Sequence, residues 1–235
     1  MRALSGELVG EVMVTGATGG IGRAIVSVLV AAGHKVIAVG RDLDRLGSLG
    51  DVQAIAADLA APGQLAAAIE PPGRLDALVH CAGVSLAAAA LVGESDPPVW
   101  QETMSINVMG AAELTRLVLP ALRRSRGHVL FVNAAPGAGA SARWSAFAAS
   151  KAALRELADS LRLEEAANEV RVTTVYPGGT ATEHLRQVRE AFGREYDPQQ
   201  LIRPESLAAI VTWVLAAPAD AYVAELSVLA RPRDS

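Results

Sequence analysis

The sequence predicts an α/β protein built on one parallel sheet, and three observations lead to this fold class. Short apolar runs alternate with longer stretches of helical length along the whole chain. The first six apolar runs contain almost no polar residues, as expected of strands that helices cover on both faces. Such alternation favours right-handed crossovers, and therefore a doubly wound sheet. We expect the strand order 3-2-1-4-5-6-7, with ligand bound at the carboxyl ends of the strands.

The elements follow one another without a linker or an internal repeat, so we expect residues 1–235 to form one domain. The predicted strands are 9–14, 35–39, 52–56, 75–80, 128–133, 170–176 and 225–229. The predicted helices are 20–32, 43–49, 64–70, 98–125, 145–167 and 204–216. Residues 182–203 are helical but more polar and less regular than these, and we interpret them as a substrate lid.

Composition excludes several function classes. Hydrophobic residues make up 51% of the chain, but no uninterrupted apolar run reaches the ~18 residues of a membrane span. Residues 1–10 lack the pattern of a secretory signal. The net charge is −4 with no basic block, which argues against a nucleic-acid partner. The four His and the single Cys81 are scattered, so no metal site is expected. A lone cysteine also favours a reducing, cytoplasmic compartment.

A glycine-rich turn follows the first predicted strand and reads Thr15-Gly16-Ala17-Thr18-Gly19-Gly20-Ile21-Gly22. Gly16 permits the tight turn that leaves the strand. Gly20 and Gly22 allow backbone amides to approach a pyrophosphate at the start of the next helix, where free N–H groups favour anions. A plain loop would use the same glycines. The position between a strand and an amphipathic helix nevertheless favours a Rossmann-type dinucleotide site.

The spacing T-G-x-x-x-G-I-G resembles that of the short-chain dehydrogenase/reductase family, and further matches extend the resemblance over almost the whole chain. Asp58 and Leu59 follow the third strand, where the family binds adenine. Cys81-Ala82-Gly83 stands where the family has N-N-A-G, with His80 at the first Asn. Asn107 matches a structural and proton-relay Asn. The run from Pro177 to Thr182 matches P-G-x-x-x-T, which binds the nicotinamide carboxamide.

Two of these matches also have a purely structural interpretation: Asp58 as a helix cap and Asn107 as a brace of a helix kink. The resemblance implies the following cofactor-binding residues: Gly16, Thr18, Gly19, Gly20, Ile21, Gly22, Asp58, Leu59, Cys81, Ala82, Gly83, Lys151, Pro177, Gly178, Thr180 and Thr182.

The end of the second strand indicates which nicotinamide cofactor is used. Family members that select NAD usually carry an Asp or Glu there, which binds the ribose hydroxyls. Here Gly40 occupies the position and Arg41 follows. Because no carboxylate stands at that position, a 2′-phosphate is not repelled there, and the guanidinium of Arg41 is placed to bind it. Asp42, next along the chain, is typical of a helix cap. We therefore expect NADPH/NADP+ rather than NADH/NAD+.

The family's catalytic Ser and Tyr are replaced in this chain. The family uses Ser, Tyr and Lys, with the Tyr four residues before the Lys and the Ser thirteen before the Tyr. Lys151 occupies the Lys position, Phe147 the Tyr position and Ala134 the Ser position. Phe cannot donate a proton, and Ala cannot bond an oxyanion. Of the family's catalytic set, the resemblance therefore leaves Lys151 and Asn107.

Three explanations of this loss stay open at the level of sequence. An engineered inactive variant is one, although His80 and the Ala135-Pro136 pair also depart from the family pattern. A pseudoenzyme that binds NADP(H) as a sensor or scaffold is the second. The third is a reductase whose substrate does not need the Tyr, because orientation alone can supply about 7–11 kcal/mol. A ketone beside a phenolic OH would bring its own hydrogen-bond donor.

In line with the third explanation, the sequence resembles the atypical ketoreductases of aromatic polyketide antibiotic pathways, which act on quinones and angucyclinone-like rings. We therefore expect an NADPH-dependent ketoreductase with a polycyclic aromatic ketone as substrate. Trp144 is placed either to stack on a flat ring or to pack at the pocket rim, and His184 either to donate a proton from the lid or to lie solvated. The expected substrate-facing residues are Ala134, Ala135, Pro136, Trp144, Phe147, Gly179 and His184. The resemblance also implies a homodimer or homotetramer through helices 98–125 and 145–167.

Overall fold

The seven strands form one parallel sheet with the order β3-β2-β1-β4-β5-β6-β7, which confirms the predicted fold class. The structure is a computed structural model that describes residues 10–85, 90–134, 142–218 and 220–231. The strands are β1 (Glu11–Thr15), β2 (Lys35–Gly40), β3 (Gln53–Ala56), β4 (Ala77–His80), β5 (His128–Val132), β6 (Arg171–Pro177) and β7 (Glu225–Val228). The α-helices are α1 (Gly20–Ala31), α2 (Leu43–Gly47), α3 (Leu65–Ala68), α4 (Pro97–Met104), α5 (Gly110–Ser125), α6 (Ser145–Glu164), α7 (Glu183–Ala191) and α8 (Pro204–Leu215).

Helices pack on both faces of the sheet and divide the core into two layers. Because successive side chains of a strand point to opposite faces, Met13 lies in one layer while Val12 and Val14 lie in the other. The first layer contains side chains of α3, α5 and α6, and the second contains those of α1, α2 and α8. Burial on both sides explains why β1, β2, β4, β5 and β6 are so apolar in sequence.

Several predicted elements differ in the structure. Gln53 and Ala56 are exposed, because β3 is an edge strand that pairs only with β2, so the expectation of coverage on both faces is wrong there. The strand predicted over 75–80 begins only at Ala77. Asp76 instead uses its carboxylate to accept from the amide of Glu11. The helix predicted over 64–70 is a 3-10 turn (Pro62–Gln64) followed by the single turn of α3.

The helix predicted over 98–125 is interrupted in the middle. A turn of π-helix (Ser105–Met109) separates α4 from α5, and it contains Asn107. Such a turn inserts one extra residue per helical turn, often at functional sites. Beyond β6, the predicted segment 182–203 contains α7 and a 3-10 turn (Pro198–Gln200), and Ile202 forms a parallel bridge with Thr180. In the described ranges, no helix is long and apolar enough to cross a membrane.

Two histidines are buried in the sheet as neutral rings. His80 stacks on Phe131 with ring centroids 4.8 Å apart, and its Nε2 lies 2.9 Å from the hydroxyl of Thr115. That hydroxyl donates to the carbonyl of Ala111, so it accepts from Nε2–H of His80. His128 makes the equivalent contact with Thr173. Burial lowers the pKa of each imidazole to about 3, so each folded-state ring stays neutral where the unfolded chain would be protonated.

We predict that the free energy of unfolding falls with acidification between pH 6.5 and pH 3, and that His80→Asn reduces this slope. The unfolded state binds more protons than the folded state in that window, so stability rises with pH there. Each histidine contributes about 1.4 kcal/mol per pH unit in the middle of the window. Urea unfolding at several pH values measures the slope.

Phe131→Leu is the matched control for this measurement. It removes the ring stacked on His80 but no titratable group, so it should lower stability by a similar amount at every pH. Equal slopes for the wild type and His80→Asn would contradict the prediction.

Candidate active site

The glycine-rich turn connects β1 to α1 and leaves the start of that helix open. Gly16 has φ of +62°, a left-handed conformation that favours glycine. A Cβ on Gly22 would lie 2.2 Å from the carbonyl oxygen of Gly16, so no side chain fits there. Gly19 is the N-cap of α1, and no side chain caps that helix. The first-turn N–H groups of α1 therefore remain available to an anion such as a pyrophosphate.

Two arginines lie beside this turn at the end of β2. Arg41 is exposed directly after the strand. Arg45 reaches back from α2, and its Nη2 donates to the carbonyl of Thr18 over 3.4 Å. The carboxylate of Asp42 accepts from the amide of Arg45 at 3.0 Å, so Asp42 is the cap of α2. Sequence reasoning missed Arg45, because only the folded turn shows that residues 18 and 45 meet.

The loops after β3 and β4 form the next part of the same edge. Asp58 is exposed two residues beyond β3, and its carboxylate accepts from the amide of Ala60 at 2.9 Å. After β4, the hydroxyl of Thr15 accepts from the amides of Cys81 and Ala82, each at 3.2 Å. These bonds hold the carboxyl ends of β1 and β4 together at the place where the strand order reverses.

Asn107 fixes the loop after β4 against α6. Its Oδ1 accepts from the amide of Val84 at 2.8 Å, and its Nδ2 donates to the carbonyl of Val84 at 3.0 Å and to Ser150 Oγ at 2.9 Å. The hydroxyl of Ser150 in turn donates to the carbonyl of Phe147 at 2.7 Å. Asn107 is buried, so these bonds determine where residues 83–85 and the start of α6 lie.

Lys151 lies in the same cleft with its ammonium close to β5. Nζ donates to the carbonyl of Val132 at 3.4 Å and lies 5.8 Å from the centre of the Phe147 ring. Burial lowers the pKa of Lys151 to about 8, and it raises the pKa of the neighbouring Cys81 thiol to about 12. At neutral pH, Lys151 is therefore mostly an ammonium and Cys81 a thiol.

The two substituted positions flank this lysine. Phe147 lies one helical turn before Lys151 on α6, and Ala134 follows β5, with its amide bonded to the side chain of Asn133 at 2.9 Å. The side-chain Nδ2 of Asn133 also donates to the carbonyl of Lys151 at 3.1 Å, which ties β5 to α6. Ala135 and Pro136 lie outside the described residues. Around Lys151, neither substituted side chain offers a hydroxyl.

Aromatic side chains form a wall at the mouth of the cleft. The ring centroids of Trp144 and Phe147 are 4.5 Å apart with an edge-on angle of 67°. Phe192, directly after α7, stacks on Trp144 at 5.4 Å and 25°. The guanidinium groups of Arg143 and Arg194 lie 5.1 Å and 5.7 Å from the centre of the Phe192 ring. Sequence reasoning missed Phe192, because it lies 48 positions after Trp144 in the chain.

The amino-terminal end of α7 closes the cleft from the other side. Thr182 caps this helix by accepting from the amide of Leu185 at 3.2 Å, and a Cβ on Gly20 would lie 2.6 Å from its Cγ2. His184 is exposed, but its Nε2 lies 2.7 Å from Ser85 Oγ. Burial and, to a lesser degree, the charge of Lys151 lower the pKa of His184. Sequence reasoning missed Ser85, which no motif marks.

The predicted site residues that the structure describes therefore lie along one edge of the sheet, at the carboxyl ends of its strands. The segment after β6 completes this edge, because the amide of Gly178 donates to Val228 O and the hydroxyl of Thr180 to Gly178 O. Gly179 packs against Leu201, to which an added Cβ would approach within 2.9 Å. In the described part of the chain, no group of three or more His, Cys, Asp or Glu side chains could hold a metal ion.

Comparisons with known proteins agree with this geometry. Residues 11–192 match the family model described as short chain dehydrogenase. The chain is 32% identical to an NADP-dependent 3-hydroxy acid dehydrogenase, YdfG, of Salmonella typhi, with 88% of this chain and 90% of that protein covered. It is 33% identical to an uncharacterized short-chain type dehydrogenase/reductase of Sinorhizobium fredii, with 92% and 90% covered.

Solved structures give the same result. The closed form of a serine dehydrogenase in complex with NADP+ superimposes with a TM-score of 0.80 at 27% identity, and the match covers 93% of this chain and 94% of that one. An Escherichia coli short chain dehydrogenase in complex with NADPH gives a TM-score of 0.79 at 29% identity over 93% and 95% of the two chains. The protein belongs to the short-chain dehydrogenase/reductase family of oxidoreductases.

Proposed function

We propose that the protein is an NADPH-dependent ketoreductase that reduces a carbonyl of a polycyclic aromatic polyketide without a tyrosine general acid. One observation carries this proposal: the cleft keeps Lys151 and an uncapped glycine-rich turn, while Phe147, with Trp144 packed against it, stands where a hydroxyl group would otherwise handle the proton. A cleft that only maintained the fold would need neither a buried ammonium nor an open helix end. A flat aromatic ketone of the quinone or angucyclinone kind fits such an apolar, aromatic wall.

The residues present fit a nicotinamide dinucleotide. At Gly16 and Gly22 the turn has no room for a Cβ, and the first-turn amides of α1 are free for the pyrophosphate. Lys151 would bond the ribose of the nicotinamide half, and the run from Pro177 to Thr182 would hold its carboxamide. When bound, NADPH supplies the hydride that reduces the carbonyl carbon. The cofactor of the related dehydrogenases, NADP(H), supports this choice.

Arg41 and Arg45 would select the 2′-phosphate together. Arg41 is exposed directly after β2, and Arg45, on α2, is held at the glycine-rich turn by its bond to Thr18. Asp42, the nearest carboxylate in sequence, caps α2, and its side chain is therefore directed to the start of that helix. A guanidinium binds phosphate through charge-assisted hydrogen bonds, which are stronger than neutral ones.

The carbonyl oxygen would obtain its hydrogen-bond partner from the substrate itself. Ala134 and Phe147 offer no donor, and burial keeps the Cys81 thiol a very weak acid with a pKa of about 12. A phenolic OH adjacent to the ketone can bond the oxygen as negative charge develops on it, and this stabilises the transition state. Asn107 bonds Val84 and Ser150, and its part in the reaction is to hold the loop and α6 in place.

A non-catalytic NADP(H)-binding sensor or scaffold is the second candidate. The observation that favours it is the absence of both proton-handling hydroxyls at positions 134 and 147. Such a protein would bind the cofactor through the same turn but would need no substrate pocket. The two candidates differ in turnover on aromatic ketones.

The proposal includes the arrangement of the whole chain. Residues 1–235 would form one domain, with 182–203 as a substrate lid over the nicotinamide end. The exposed apolar side chains of Met109 and Leu163 lie in the segments 98–125 and 145–167, and they support a homodimer or homotetramer through those helices. The lone Cys81 is consistent with a cytoplasmic location. Neither nucleic acid nor membrane is a proposed partner.

We expect NADPH to bind markedly more tightly than NADH, and Arg41→Ala and Arg45→Ala each to reduce that preference. A lost charge-assisted hydrogen bond to the 2′-phosphate costs about 1.5–3 kcal/mol, or roughly 10- to 150-fold in Kd. NADH affinity should change little. Titration calorimetry with both cofactors measures this, and Arg116→Ala, on an exposed ion pair of α5, is the control. Equal affinities of the wild type for NADPH and NADH would refute the selection.

We expect Phe147→Tyr combined with Ala134→Ser to change turnover little on a ketone that carries an adjacent phenol. The same double variant should raise turnover on simple ketones by about 10²-fold, the low end of general acid catalysis. The substrate panel consists of hydroxy-anthraquinone ketones, their methyl ethers and simple aryl ketones, and the readout is the loss of NADPH absorbance.

Methylation of the phenol is the decisive comparison for the wild type. It should reduce wild-type turnover sharply, because the oxygen then loses the hydrogen bond from the phenol as negative charge develops on it. Equal rates on free and capped phenols would refute assistance by the substrate. Tight NADPH binding without turnover on any of these ketones, before and after the double substitution, would favour the sensor.

We expect the backbone amides of α7 to exchange with solvent faster than those of α8 in the free protein, and to slow when NADPH and an aromatic ketone bind. The physical reason is that α7 buries only Val188 within the helix, whereas α8 buries five residues. Hydrogen exchange followed by mass spectrometry measures both helices in one experiment. Exchange in α7 as slow as in α8, with and without ligands, would contradict the lid.

A further inference from the structure

We propose that His184, held in place by Ser85, donates the proton that the product alcohol requires. This inference rests on the proposed ketone reduction, and it names the group that takes over one task of the missing tyrosine. His184 would be the catalytic residue that contacts the substrate oxygen. Ser85 would be a positioning residue.

The other polar groups around the cleft are poorly suited to the task. The ammonium of Lys151 is engaged with the carbonyl of Val132, and the Phe147 ring lies beside it. The buried Cys81 thiol has a pKa of about 12. Tyr176 donates its hydroxyl to Glu225 at 2.7 Å. Asn107 is engaged with Val84 and Ser150 and has no acidic proton.

The contacts of His184 hold its ring at the cleft. Ser85 Oγ lies 2.7 Å from Nε2, and Ser85 is itself buried. Ser85 directly follows Val84, whose amide and carbonyl are both bonded to Asn107. The bond therefore joins the first turn of α7 to a part of the structure that cannot easily move. Because Nε2 is engaged with Ser85, Nδ1 is the nitrogen left to face the substrate.

The charges near His184 make it a ready proton donor. The charge of Lys151, on α6, adds to the effect of burial in lowering the pKa of His184, because it disfavours the imidazolium. On its own helix, Glu183 is paired with Arg186 over 2.5 Å, and Arg186 is also paired with Glu190. Residues 81–85 carry no charged side chain, although the Cys81 thiol lies among them. An imidazolium in this environment loses its proton more readily than one in water.

The step is a single proton transfer that follows carbonyl reduction. The alkoxide oxygen forms an O–H bond as the Nδ1–H bond of the imidazolium breaks, and the electron pair of that bond stays on nitrogen. The neutral ring then takes a new proton from solvent, to which His184 is exposed. The substrate phenol contributes a hydrogen bond to the oxygen, and the imidazolium supplies the one proton that the reduced substrate needs.

The test compares His184→Gln with Ser85→Ala and with the control His34→Gln. Gln keeps a hydrogen bond to Ser85 but cannot donate a proton, so a merely structural role for His184 would survive this change. His34 lies before β2, at the opposite edge of the sheet, where its Nδ1 accepts from the amide of Gly10. The substrate is a hydroxy-anthraquinone ketone that carries the free phenol, and the measured quantities are kcat, KM and their pH dependence.

We expect His184→Gln to lower kcat about 10²-fold at pH 6 with KM unchanged. Wild-type kcat should fall as pH rises through the pKa of His184, which lies below the ordinary imidazole value, and the Gln variant should lose this limb. Ser85→Ala should lower kcat less and should shift the limb. Phe147→Tyr, added to His184→Gln, should recover most of the loss. His34→Gln should match the wild type.

A second readout does not depend on turnover. In NMR titrations of the imidazole Cε1–H signals, Ser85→Ala should move the titration midpoint of His184. Wild-type kinetics in His184→Gln, or an unchanged His184 midpoint in Ser85→Ala, would overturn the inference while the proposed reductase stands. Absence of turnover by the wild type with NADPH bound would refute both.

Discussion

The buried amide of Asn107 is the interaction on which the arrangement of the cleft depends. It is bonded on one side to both backbone groups of Val84 and on the other to Ser150. The loop after β4 and the start of α6 are therefore fixed relative to each other. Each of these bonds contributes about 1 kcal/mol, and a buried polar group left unpaired would cost about 1–3 kcal/mol. A π-helical turn brings Asn107 to this point, where its side chain pairs with these polar groups.

The bonds that Asn107 makes to Val84 and Ser150, called the clamp below, affect both sides of the cleft. Through Ser150 it holds the carbonyl of Phe147, and one turn later Lys151 lies against β5. Through Val84 it holds Ser85, and thus the contact with His184. Ser150 bonds the backbone of residue 147, so the clamp does not depend on which side chain that residue carries. A hydroxyl can therefore be lost from α6 while the lysine, the loop and the lid keep their places.

The sequence predicts the sheet well and the contacts across it poorly. Strand order follows from the alternation of apolar runs, because burial on both faces and right-handed crossovers leave few other topologies. The edge strand β3 has the same apolar appearance as the buried strands, so its exposed residues could not be predicted from composition. The π-helical turn at Asn107 could not be predicted from the sequence either, because one extra residue scarcely disturbs helical periodicity.

The parts of the site that sequence reasoning missed are all tertiary contacts. Arg45 becomes relevant only because α2 places it beside Thr18, and Ser85 only because α7 places His184 against it. Phe192 joins Trp144 across the cleft in the same way. None of these residues belongs to a motif, because a motif records residues that many proteins share. The residues that distinguish one pocket from another are therefore the ones that a motif search passes over.

An aromatic contact and a polar contact hold the two ends of α7 at the cleft. Phe192 stacks on Trp144 at one end of α7, while His184 bonds Ser85 at the other. Movement of α7 away from the cleft must break a ring stack and a hydrogen bond, each of which contributes only about 1 kcal/mol in water. In the proposed reductase, a planar aromatic substrate would replace the first contact with its own stacking, so movement of α7 would cost less when such a substrate enters. The cations beside Phe192 add to this preference, because Arg143 and Arg194 lie where they can also contact electron-rich rings. In the proposed reductase, the wall would therefore favour flat, electron-rich aromatics over small aliphatic ketones before any chemistry begins.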